Sequence, residues 1–458
     1  MNHSRKVNGP FAVSGARVFD GEHTLADHAV LVESGMVSGV VPCHSVPESM
    51  RRCHEPDCTV IPGLIDTHVH FMRWQGPQFL AFGVTTVRDT GNDLAWILNR
   101  RIEWKNKPWP RILCLGPLLD GPAPCHEAVS RPCADLADAL AAVGETAAKG
   151  VDGIKFYVGL DPEWLPPMVE EGHAARRKVS MHCAGGGVLA AAQAGVDEFY
   201  HLDGILAHVW PGHPPGWLNI WGMPEFARTV DRQRQVADHI RGSGITATPT
   251  LAYWDSQWRI RTADSLGPED LRYTPPSMIE WQSVPPDPSS SEQWRRALQA
   301  AQSFVGLLLE RDVPVLAGSD VPCGLVPPGL SLWHELSLLA EAGMSPEQAL
   351  RAATSDAAAF CGQHELGRLS PGSVADMVLV KGNPTERIPS RPDIVKTIRN
   401  GVVYRPEDIL PAAGQAASSL EDEPWAIQFE RHWERAGAAQ TARQETSGVS
   451  DKADANDA

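Results

Sequence analysis

The chain has 458 residues, 43% of them apolar, and carries 40 basic against 56 acidic side chains for a net charge of −16. That length can bury a large barrel core and leave a smaller domain beside it, and the acidic balance argues against a surface for nucleic acid or an anionic membrane. Nine scattered cysteines without any Cys-x-x-Cys spacing indicate neither a disulfide framework nor a thiolate zinc site; with a polar first ten residues and no long uncharged run, the expectation is a soluble cytoplasmic protein with reduced thiols.

In chain order, residues 11–60 hold short β-type runs separated by Asp20-Gly21 and Ser34-Gly35, the signature of a small sheet domain. Comparable runs return in 375–380 and 395–404. Chain ends that both supply strands commonly meet, so residues 1–60 and 365–405 are assigned to one discontinuous β-sandwich. Between them, strand patterns over 61–68, 85–89, 112–116, 153–157, 179–182, 198–201, 246–251 and 313–319 alternate with helical patterns such as 135–149, 162–176 and 292–311. Eight such repeats predict an α/β fold, a (β/α)8 TIM barrel over residues 61–364. A doubly wound sheet fits less well, because no Gly-rich phosphate turn follows His70.

The chemistry is written at the strand ends. In Val60-Ile61-Pro62-Gly63-Leu64-Ile65-Asp66-Thr67-His68-Val69-His70 the two histidines stand at i and i+2, so a strand points both imidazoles to one side. Lys155 places an amine within the apolar run Gly153-Ile154-Lys155-Phe156-Tyr157, where an unpaired charge is costly. His182, His201 and Asp320 close three later strands, at the end where barrels carry their active sites.

These residues, together with Gly83-Val84-Thr85-Thr86-Val87-Arg88-Asp89, Pro249-Thr250, the Ser345 to Thr354 segment and Pro371-Gly372-Ser373-Val374-Ala375-Asp376, resemble the amidohydrolase superfamily, in its imidazolonepropionase-like and prolidase-like branch of metallo-dependent hydrolases. The resemblance covers about residues 11–405. It implies His68, His70 and Asp320 on one metal ion and His182 and His201 on another. Carboxylated Lys155 and a hydroxide would bridge the two, and Asp320 would act as general base and then acid. Such nitrogen and oxygen donors suit Zn2+ first, with Mn2+, Co2+ or Fe2+ as alternatives.

His126, on the loop after the third strand, is expected to touch the substrate, although the usual Gly-Gly-His of relatives is absent from Pro122-Ala123-Pro124-Cys125-His126. The 119 residues from His201 to Asp320 exceed what two βα units need, so Trp254 to Pro288 is expected to form a lid, with Tyr253, Trp254 and Trp258 nearest the substrate. Arg228, Arg232, Arg259 and Arg261 are candidate carboxylate binders, whereas His208, His213 and His334 are read as loop-wall or helix-surface residues. Past Tyr404, the Ala/Gly/Ser-rich 410–422 reads as a linker, 424–436 as a short helix and 440–458 as a disordered polar tail without a functional motif. The sequence thus predicts a binuclear hydrolase of amide C–N bonds, acting on dipeptides (X-Pro included) or N-acyl amino acids. Cyclic amides or carbamates are the alternative substrates, a non-catalytic scaffold is the alternative role, and self-association is expected of such a barrel.

Overall fold

A computed structural model of the chain describes all residues except 1–4, 7–8, 184–186, 215–217, 263–266, 268, 419 and 437–458. The polar tail expected over 440–458 lies outside the described residues.

Strands from the two chain ends do pair. In a seven-stranded sheet, Cys58–Pro62 runs antiparallel to Met377–Lys381, with Pro62 opposite Met377 and Cys58 opposite Lys381. A four-stranded sheet of Met36–Pro42, His28–Glu33, Phe11–Ser14 and Arg51–His54 packs on it. Alternating Val13, Val30, Val60, Leu379 and Ile398 fill the space between.

The apolar run read as one strand from Ile61 serves both layers. It breaks at Gly63, where an added Cβ would lie 2.2 Å from Thr85 Oγ1, and Leu64–Val69 then joins Val84–Asp89 and Arg111–Cys114 in a parallel sheet. Six further parallel strands follow in the order Ser130–Pro132, Leu118–Asp120, Gly153–Phe156, Lys178–His182, Glu198–Tyr200 and Thr246–Thr248. Gly153–Phe156, Glu198–Tyr200 and Thr246–Thr248 are buried along their whole length, as strands covered on both faces are, whereas Ser130–Pro132 at the edge is half-buried to exposed.

The segment expected as the last strand, 313–319, forms no ladder. It makes single bridges, Val315 with Ala247, and beyond it Val321 with Val69, plus hydrogen bonds from Ala247 N to Pro314 O (2.9 Å), Thr67 N to Ala317 O (3.1 Å) and Asp320 N to His68 O (2.8 Å). Two features turn it out of regular pairing. Gly318 presses so close that a Cβ there would meet His68 Cβ at 2.6 Å, and Asp320 takes a left-handed φ of 63°, uncommon for a residue with a side chain.

Helices begin where side chains can satisfy free N–H groups. Asp135 accepts from Asp138 N ahead of Leu136–Ala148, and Asp287 accepts from Ser289 and Ser290 ahead of Pro288–Leu309. The lid segment contains Leu251–Arg259 and Pro276–Gln282. Trp254 is not at its tip: it is fully buried against Trp221 and Trp294. The reading of 410–422 as a linker is corrected in its first part, because Pro406–Ala416 is a helix. Pro406 stands at the helix start and the alanines favour helix, although Pro411 lies inside it, and Ile409 packs with Leu80, Ala81 and Tyr404. No helix among the described residues is long and apolar enough to cross a membrane.

Candidate metal centre

Parallel register brings the strand ends to one edge: His182 pairs with Tyr200, and Tyr200 with Thr248. His201 follows in a left-handed conformation (φ 60°) fixed by a hydrogen bond from its N–H to Thr248 O. His68 and His70, on one face of their strand, have ring centroids 5.4 Å apart. The His68 ring is 5.0 Å from that of His201, and the His201 ring 4.5 Å from that of His182. Asp320 Oδ1 lies 3.3 Å from both His68 Nε2 and His70 Nε2. Lys155, 1% exposed, sits with Nζ 3.5 Å from the Tyr200 ring centroid, and that ring is 4.2 Å from His68. All six residues singled out in the sequence line one cavity of about 290 Å³.

Neighbouring groups fix which nitrogen faces inward. His182 Nε2 is 2.9 Å from Asp203 Oδ2 and His201 Nδ1 is 2.7 Å from Thr250 Oγ1, so each ring has its other nitrogen left for a ligand. Thr250 is itself left-handed, at φ 52°. Asp66 ties the His68 strand to the Asp320 segment, accepting from Ser319 N at 3.0 Å and from Ser319 Oγ at 2.5 Å.

The donor set fits a cation. Both ring nitrogens of His68, His70 Nδ1 and Asp320 Oδ1 are buried without a hydrogen-bond partner, a state native proteins rarely leave uncompensated. His68, His201 and Asp320 present ligand atoms within 4.8 Å of one another, as do His70, Asp320 and Cys323. Burial holds His68 well below its ordinary range and His201 down to about 3, keeping the neutral form that donates a lone pair. Burial also pushes the Lys155 amine down to about 7, against the pull of Glu198 and Asp320. For Asp320 burial acts upward, but the imidazoles of His201, His68 and His70 outweigh it and keep the carboxylate ionised.

His126 and Tyr253 both line this cavity. His126 Nε2 is 2.9 Å from Tyr157 OH, and burial lowers its pKa to about 3. None of the four arginines considered for a carboxylate lines the cavity: Arg259 pairs with Asp255, and Arg261 Nη1 donates to Gln257. His334 also turns elsewhere, 2.7 Å from Asp255. Sequence reasoning gave no role to Asp203, Thr250, Tyr157 or Trp425, although Pro249-Thr250 is among the residues that carry the family resemblance. The first two carried a weak signal, as polar residues just after strand ends; Trp425, in the C-terminal helix, carried none.

Fold and cluster together define a metal-dependent hydrolase. The model of the Amidohydrolase family matches residues 59–406, most of the chain, and the NagA composite domain matches residues 11–54; the chain belongs to the amidohydrolase family and is a metal-dependent amide hydrolase. Comparison with curated protein sequences yields no match. Among solved structures, bottromycin amidohydrolase is 23% identical, with a TM-score of 0.69 and 91% of each chain covered. A Xaa-Pro dipeptidase with bound methionine is 19% identical with a TM-score of 0.65, covering 87% of this chain and 100% of its own. A prolidase complexed with N-methylphosphonate-L-proline is 20% identical with a TM-score of 0.64, covering 86% of this chain and 99% of its own. At these identities the likeness is one of fold.

Proposed function

We propose that the protein hydrolyses the C–N bond of a small amide, a dipeptide (X-Pro included) or an N-acyl amino acid, with two divalent cations, Zn2+ first among the candidates. His68, His70 and Asp320 would hold one ion, and His182 and His201 the other, with Lys155 between them as a carbamate. An uncharged amine adding to CO2 forms that carbamate and releases one proton. The strands form a (β/α)8 barrel in this reading, with 313–321 as the eighth stave and a break in pairing between Cys114 and Leu118.

The observation that carries the proposal is the convergence of buried, unpartnered imidazole nitrogens on the Asp320 carboxylate. The Xaa-Pro dipeptidase and the proline phosphonate complex among the structural relatives support the substrate class. Bound cations would lower the pKa of a water toward about 7 and polarise the substrate carbonyl. Asp320 would take the proton of the attacking water and pass it to the leaving nitrogen. His126 and Tyr253, which both line the cavity, would position the substrate.

Two outcomes are expected. Chelator-treated protein loses amidase activity and regains it as Zn2+, Mn2+ or Co2+ is restored, with two ions per chain at saturation by elemental analysis; activity that survives complete removal of metal would refute the proposal. Asp203→Asn, which disturbs the group orienting His182, should weaken metal affinity by about 10–100-fold in competition against a chelator, with the far-UV spectrum unchanged.

A further inference from the structure

The polar and aromatic helix over residues 424–436 crosses the catalytic edge, and three anchors hold the segment there. Buried Glu423 accepts the Arg73 N–H with both carboxylate oxygens at 3.1 Å. Trp425 Nε1 donates to Gly91 O at 2.6 Å, and Gln428 Oε1 accepts from Ala128 N at 3.0 Å. Arg73, Gly91 and Ala128 belong to three loops that follow successive strands of the parallel layer. The segment is therefore tied to the rim at several points, and its side chains contribute to the cavity lining.

This wall gives the cavity two aromatic side chains, Trp425 and Phe429, beside two polar ones, Gln428 and His432. The Trp425 ring lies 4.1 Å from that of His70, and 5.8 Å from that of Phe429. Gln428 is already committed, with its amide nitrogen 2.9 Å from His432 Nε2 and its oxygen on Ala128 N. Among the described residues no arginine lines the cavity, and the one lysine that does, Lys155, is buried against Tyr200. An ionic substituent seated on the Trp425 and Phe429 rings would be desolvated against apolar surface, whereas a compact aliphatic or aromatic one would pack on both.

We propose that the C-terminal helix is a specificity-determining wall of the active site, in which Phe429 and Trp425 form a subsite for a compact apolar group of the amide substrate. The inference rests on the amidase reading above and adds to it the chemistry of the group that faces this wall. Phe429 is only half buried, so its replacement leaves the anchors in place.

The test uses the full chain, metal-saturated, with Leu-Pro, Glu-Pro and Lys-Pro to vary the acyl side and N-acetyl-leucine, N-acetyl-glutamate and N-acetyl-lysine to vary the amine side. Wild type should favour the leucine member of at least one series. Phe429→Arg should raise the Glu-to-Leu ratio of kcat/KM in that series by about tenfold or more, and Phe429→Ala should lower the leucine preference by about tenfold, the scale set by a few methylenes in a pocket. Ratios in both variants matching wild type in both series would overturn the wall. Asp320→Asn separates the two ideas: full activity in that variant refutes the proposed chemistry, while the ratio shift at Phe429 reports on the wall alone.

Discussion

Asp320→Asn is expected to lower kcat by about 10²–10⁴, the contribution of a positioned proton-transfer group, measured at saturating metal and substrate. The substitution is nearly isosteric, so the backbone bonds that seat the residue, its N–H to His68 O and Cys323 N–H to its own carbonyl, are retained. What changes is the oxygen 3.3 Å from both His68 and His70: an amide neither accepts a proton at neutral pH nor supplies negative charge to a cation. Metal content must be measured alongside, because Asp320 serves both tasks in the proposal. A variant that keeps its metal and loses turnover isolates the proton transfer. One that keeps both within a factor of a few would remove Asp320 from the mechanism.

The ligand cluster was legible because each member breaks a local pattern. A His-x-His at the tip of an apolar strand and an amine inside Gly153-Ile154-Lys155-Phe156 are conspicuous against the period-two and fully apolar runs around them. The groups that orient the cluster were not, since a loop aspartate 21 residues from His182 or a threonine 49 residues from His201 becomes a partner only once strands align. The last strand was misjudged for a related reason. Val313-Pro314-Val315-Leu316-Ala317 has strand character, but contact with His68 at Gly318 and the turn at Asp320 are set by the neighbouring strand. The amphipathic spacing of 424–436 revealed a helix and nothing of its place. Its docking depends on three loops that lie about 300 residues or more earlier in the chain.

Beneath the histidine cluster lies a second buried charge system, and breaking it is expected to cost about 3–5 kcal/mol of stability, the range for removing one partner of a buried pair. Arg88, 3% exposed, donates through Nη2 to both oxygens of fully buried Glu198, at 2.6 and 2.7 Å, and through Nε to Thr67 O at 2.8 Å. Ser180 Oγ and Thr248 Oγ1 also donate to Glu198, at 2.7 and 2.6 Å. The network thus joins the strands that carry His68, His182 and His201, one to three residues below each of them. Arg88→Met removes the cation while the carboxylate stays buried with only two hydroxyl donors, so urea unfolding should show the full loss. Adding Glu198→Met removes the stranded charge, and the double variant should recover part of the loss even though it has fewer native contacts. A double variant less stable than Arg88→Met would mean that the arginine acts by filling space in the layer rather than by balancing Glu198.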